Sequence, residues 1–252
     1  MIILLLVVFA ILTFVTWMLI KEKKRRMIAG SLSFLLLSLT VAAMTLSFTH
    51  HLGMQQVSHT ETQRIYTAGA KQSPAGVLLA QEIGTQSDNY VLIYRDRAQA
   101  AEPKVHFKPD QKHITQAIRK EADYRQAKVN HASVKTTTTR WAWKNDVYRL
   151  LFGIGGQGNE LVKEKVEVTV PSDTWVVMSP QQAKQLAQTQ AKMSPAMQAQ
   201  QQAEIKQAVE AKMMHYQQVQ PQASAAQLKA QTQYETAVLT AQAMKTTLAK
   251  IK

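Results

Sequence analysis

The sequence predicts a membrane α+β fold: an N-terminal transmembrane helical hairpin, a small antiparallel β-rich extracytoplasmic domain, and C-terminal Gln/Ala-rich helices. Three observations carry that expectation. Residues 2–20 and 27–48 hold no charged side chain; residues 133–178 are rich in Thr, Val and Trp; and residues 180–252 hold 18 Gln and 16 Ala. The expected boundaries are therefore 1–48 for the hairpin, 49–179 for the β-rich domain and 180–252 for the helical tail.

Stretches of 19 and 22 uncharged residues each reach across a hydrocarbon layer of about 30 Å as helices. Backbone in lipid must satisfy its own hydrogen bonds, so helix is the expected form. The connector Lys21-Glu22-Lys23-Lys24-Arg25-Arg26 carries five basic residues and one acid, whereas nothing basic precedes the first span. Basic loops stay cytoplasmic, so Lys21, Lys23, Lys24, Arg25 and Arg26 are expected to set topology. The N-terminus and everything after Phe48 then face out of the cell. A cleaved signal peptide would want a basic n-region and a small-residue cleavage site, and neither Met1-Ile-Ile-Leu4 nor Trp17-Met-Leu-Ile20 supplies them. The pairs Ala29/Ser33 and Ser38/Ala42 have the four-residue spacing that lets helices approach closely.

The region 49–179 carries 17 Lys/Arg and 13 Asp/Glu. Gly76–Ala80 and Tyr90–Tyr94 read as strands of a hairpin around the turn-rich Gly84–Asn89. Ser133–Trp143 follows as a strand, and Lys144-Asn145-Asp146 is expected to reverse the chain into a partner strand over Val147–Phe152. Trp141, Trp143 and Tyr148 then form an aromatic hairpin, for packing or for a surface. Leu161–Val170 alternates, with Val162, Val166, Val168 and Val170 on one face. Thr174–Met178 is a last short strand. Residues 109–128 allow a short helix, an exposed loop or an edge strand.

Gly153, Gly155 and Gly158 spell a G-x-G-x-x-G, with Asp173 about 20 residues after the first glycine. A dinucleotide site needs a strand before the glycines and a helix after them, because the helix N-terminus receives the pyrophosphate. Here Asn159–Val170 follows with period two. The expected role is a turn between strands, with Gly supplying positive φ, and Asp173 in its own turn, Pro171–Thr174.

The run from Arg140 through Trp141, Trp143, Lys144 and Asn145 to Leu151-Phe152-Gly153, with Pro171, Val176, Ser179 and Ala183 after it, resembles an uncharacterised two-span membrane protein family of lactic acid bacteria, a domain of unknown function. The resemblance runs from Met1 to about Leu186. It implies membrane location and architecture and no activity. The long Gln/Ala tail departs from it.

In that tail Ser179-Pro180 and Ser194-Pro195 each place a capping hydroxyl before a proline, which the first helical position tolerates. A third break falls at Gln220–Ser224. Two or three weakly amphipathic helices are expected, with apolar positions such as Leu186, Val209, Leu228, Leu248 and Ile251; a disordered Gln-rich extension is the competing reading.

No constellation carries chemistry. The chain has no cysteine, so disulfides and thiolate metal sites are excluded. His50, His51, His59, His106, His113, His131 and His215 show no metal spacing, and Asp110, Glu121 and Asp123 read as solvated charge. No catalytic, cofactor-binding or metal-binding residue is expected. With a formal charge of +13, the expected partners are the bilayer, an anionic envelope polymer or lipid headgroup, or another membrane protein, and no nucleic acid. The sequence thus points to a membrane-anchored binding or scaffold protein of the cell envelope. The alternatives are an accessory subunit of a membrane complex and an envelope enzyme.

Overall fold

The computed structural model describes residues 1–84, 89–108 and 118–250. The interior of the Gly84–Asn89 connector, residues 109–117 and residues 251–252 lie outside them. In chain order the elements are α1 (Ile2–Met18), α2 (Lys23–His50), β1 (Met54–Arg64), β2 (Gly76–Glu82), β3 (Tyr90–Tyr94), β4 (Lys104–His106), β5 (Lys120–Ala127), β6 (Ser133–Trp143), α3 (Asp146–Phe152), β7 (Leu161–Pro171), β8 (Trp175–Met178), α4 (Pro180–Lys192), α5 (Pro195–Val219) and α6 (Ala225–Lys250). Contacts divide the chain into two compact units, residues 1–59 with 138–163, and residues 60–137 with 164–252. Each unit is therefore discontinuous in sequence.

In the first unit α1 and α2 pack against each other. Helix α2 is long and apolar enough to cross a membrane by length and composition, and α1 is a shorter apolar helix. Lys23–Arg26 form the first turn of α2 rather than a loop, with Glu22 as N-cap and 3.0 Å from the Arg25 guanidinium. An acid at that end offsets the positive pole of the helix and the basic cluster beside it. The buried seam of α2 is Gly30, Ser33, Thr40 and Ser47, and Ser33 Oγ lies 3.0 Å from Thr16 Oγ1 of α1. Of the two small-residue pairs expected at the contact, Ser33 sits in the seam, whereas Ser38 and Ala42 are exposed.

One sheet runs β1-β6-β7-β5 and the other β4-β3-β2-β8; the second unit holds residues 60–64 of β1, 133–137 of β6, 164–171 of β7 and all of β5 from the first sheet, and the whole of the second. The expected β2–β3 hairpin pairs antiparallel, Leu79 opposite Ile93. The sheets are nonetheless mixed rather than antiparallel, because β2 pairs with β8 and β5 with β7 in parallel. Parallel partners need long crossovers, so they lie far apart in sequence and local alternation cannot name them. Between the sheets lie Leu78, Leu92, Ala122, Val166, Val168 and Val170. The far face of the second sheet packs Val77, Val176 and Met178 against Leu186 of α4 and Ala241 of α6. Strand β2 is thus covered on both sides, which accounts for its unbroken apolar run.

The tail forms three helices. Ser179 and Gln182 complete a capping box at α4, and Ser194 caps α5. Helices α5 and α6 are tied by Lys212 and Glu235 at 2.7 Å.

At the edge of the second sheet, Tyr94 stacks on His106 with ring centroids 4.0 Å apart. Burial raises the Tyr94 hydroxyl far above its usual range. Burial also holds the His106 imidazole below its ordinary value and outweighs the opposing pull of Asp96, while Lys104 adds to the lowering. His106 Nε2 lies 3.3 Å from Asp96 Oδ1 but is not aligned as a hydrogen bond. A histidine with a depressed folded pKa adds stability above about pH 6.5 and loses it as pH falls through the lower folded value. The melting temperature should therefore drop between pH 7.5 and 5, and His106→Gln should lessen that drop in a calorimetric pH series.

Candidate functional site

The most distinctive group in the second unit is Arg95, which follows β3 directly. Its backbone pairs with Tyr66 in an isolated bridge, at 2.9 and 3.0 Å. The side chain is 6% exposed. Nη1 donates to the carbonyls of Thr67 and, at 2.7 Å, Gly69, while Nε is buried with no hydrogen-bond partner. A buried cation ordinarily pairs with a carboxylate, because leaving water costs several kcal/mol. The neighbouring Asp96 instead faces Lys104 and His106, at 3.8 and 3.3 Å. Among the described residues, no carboxylate pairs with Arg95.

Arg95 lines a cavity of about 310 Å³. Its walls come from the loop 65–75, from Asn130, His131 and Ala132, and from Trp175 of β8. Thr67 Oγ1 orders the loop by accepting from Gly69 N at 3.0 Å and Val77 N at 2.9 Å. Gly76 is required by close approach, since a Cβ there would fall 2.3 Å from the Trp175 ring. Any side chain would push the indole out of its place. At the rim stand Arg64, whose guanidinium carbon sits 5.7 Å from the Tyr66 ring centre, and Lys71, which donates to Gln99 O at 3.3 Å. Among the described residues, no Asp or Glu lines the cavity. Chemically this arrangement offers three cations, the three hydroxyls of Tyr66, Thr67 and Ser73, the rings of Tyr66 and Trp175, and the imidazole of His131.

The aromatic residues singled out by sequence lie in the first unit and do not form a hairpin. Val147–Phe152 lies in helix α3, because the Asn145 side chain accepts from Tyr148 N and caps it. Trp141 stacks on His51 at 4.1 Å; Trp143 and Tyr148 each lie 6.4 Å from Phe152. Both tryptophans are half-buried rather than core.

The glycine run leads from helix α3 through two short 3-10 turns into strand β7. That is the reverse of the strand-then-helix order a pyrophosphate site needs. Positive φ occurs at Gly156, outside the motif, at +69°. Gly155 and Gly158 serve close packing instead: a Cβ would fall 2.7 Å from Phe48 and 2.6 Å from Trp143.

Sequence reasoning passed over Arg95. The signal was an arginine directly after the apolar run Tyr90–Tyr94, a position where a strand still has both faces covered.

Comparison of the chain with curated proteins and with solved structures gives no match. Residues 22–186 match a family described as a domain of unknown function, DUF4811. That span takes in α2, both sheets and the first turns of α4, and leaves α5 and α6 beyond it. The chain belongs to the DUF4811 family.

Proposed function

We propose that the protein is a membrane-anchored, non-catalytic binding or scaffold protein of the cell envelope. Helices α1 and α2 cross the bilayer as two spans, residues 21–26 stay on the cytoplasmic side, and the N-terminus and residues 49–252 face outward. One observation carries this reading: the helix pair is inverted relative to a soluble one. Its seam buries Gly30, Ser33, Thr40 and Ser47, while Phe14 is 63%, Ile28 72%, Phe34 59% and Leu39 57% exposed. Soluble proteins rarely expose apolar patches beyond a few hundred Å². In lipid the association of helices comes from small residues and hydroxyl bonds, which is what this seam supplies.

Helix α1 is 17 residues, about 26 Å at 1.5 Å per residue, slightly short of the ~30 Å hydrocarbon layer. Leu19 and Ile20 continue the apolar stretch, and a small mismatch is absorbed by local thinning. The outward-facing ligand in this reading is anionic, a polymer or lipid headgroup, held by the basic surface of the domain. A second reading, an accessory subunit of a membrane complex, is favoured by Ser38 and Ala42. They leave a small-residue spot on the lipid-facing side of α2 where another helix fits.

A protease-sensitive tag fused after Lys252 should be cut by protease added to intact protoplasts; complete protection would reverse the topology. Retention of the detergent-solubilised chain on isolated envelope polymer should fall at least tenfold between 50 and about 500 mM salt, and retention that ignores salt would remove the anionic partner.

A further inference from the structure

We propose that the cavity over Arg95 binds the phosphoryl group of a small organic phosphate. This goes beyond the anchored-binding reading and stands without it, since every residue concerned lies in the second compact unit.

The argument starts from the charge. Arg95 is 6% exposed and its Nε has no partner, so folding has enclosed a permanent cation with two carbonyl oxygens and, among the described residues, no counter-ion. Carbonyl dipoles offset part of the desolvation cost, and a bound oxyanion would offset the remainder. The cavity that Arg95 lines carries further positive charge from Lys71 and Arg64 and, among the described residues, no carboxylate. A site for a cationic or neutral ligand has no use for that distribution.

The choice of phosphoryl over carboxylate follows from the number and spread of donors. A guanidinium alone suits either anion through its planar fork. Here two more cations, Arg64 and Lys71, and the imidazole of His131 line the same cavity, while the Ser73 hydroxyl donates to Ala75 O at 3.1 Å, so positive charge comes from several residues rather than from one planar fork. A tetrahedral dianion uses such a set more fully than a planar monoanion does. The volume of about 310 Å³ is at the small end for ligand cavities, enough for a phosphate with a few further heavy atoms. Trp175 offers those atoms an apolar wall, fixed in place by its contact with Gly76. The phosphoryl group could come from a soluble ester or from a phosphodiester headgroup, and the cavity chemistry is the same for both.

The test is titration calorimetry on the full-length protein in detergent, with glycerol phosphate as one probe and glycerophosphoglycerol, a deacylated headgroup, as the other. Sodium chloride and acetate at matched ionic strength serve as reference anions. One site per chain is expected for at least one phosphate probe. Saturation by the monoester alone assigns a soluble ester, and saturation by the diester assigns a headgroup or polymer. Arg95→Met should abolish binding. Because that variant removes two loop contacts and can fail to fold, Lys71→Gln and His131→Gln, both at exposed positions, should each weaken binding about three- to tenfold. Lys135→Gln, exposed on β6 and outside the cavity, should leave it unchanged. Heats no larger than those of chloride for both probes would overturn the proposal. So would acetate binding as tightly as phosphate, or equal affinity in the wild type, Lys71→Gln and His131→Gln.

Discussion

Helices α1 and α2 meet through glycine and hydroxyl side chains and turn leucine, isoleucine and phenylalanine outward, and the functional account depends on what that outer surface meets. Burying one such side chain is worth about 1.5–3 kcal/mol. The exposed large apolar residues between Met1 and Phe48 number 22. Leaving them in water forgoes tens of kcal/mol, more than the ~5–15 kcal/mol by which a domain is stable. Hydrocarbon would remove that penalty, and the same medium would give the Thr16–Ser33 contact no water to compete with.

Within the second unit a different economy holds. Its strands from two mixed sheets enclose valines and leucines, α4 and α6 close the outer face, and among the described residues Arg95 is the one buried cation. The cation sits on the residue after β3 and is held by carbonyls of the loop before β2, two places that the β2–β3 hairpin brings side by side. Packing therefore creates the cavity and decides which charge it presents. The parallel β2–β8 pair then adds Trp175 beside Gly76.

How much of this is legible in sequence depends on whether the signal is local. The two uncharged stretches, the alternation of β7, the apolar runs of β2 and β3 and the serine-proline helix starts each carry their own period or cap, and the elements formed where expected. Strand β1 gave no signal because all its residues but Met54 are exposed, so no alternation of apolar side chains marks it. Val147–Phe152 has strand-like composition but follows an asparagine cap, and the cap prevails. The parallel pairings, the Gly155 and Gly158 contacts and the isolation of Arg95 all join distant residues. A residue's neighbours decide them, and its sequence context does not.

The central claim concerns the medium around α1 and α2, and the absence of cysteine makes it directly measurable. Single cysteines at Leu32, Leu39, Ser33 and Thr40 can be spin-labelled in the protein reconstituted into bilayers, and their collision rates with oxygen and with a water-soluble relaxant compared. Labels at Leu32 and Leu39 should relax strongly with oxygen, which concentrates in lipid, and weakly with the polar agent. Labels at Ser33 and Thr40 should respond little to either. Strong relaxation of Leu32 and Leu39 by the polar agent would place that surface in water and contradict the account.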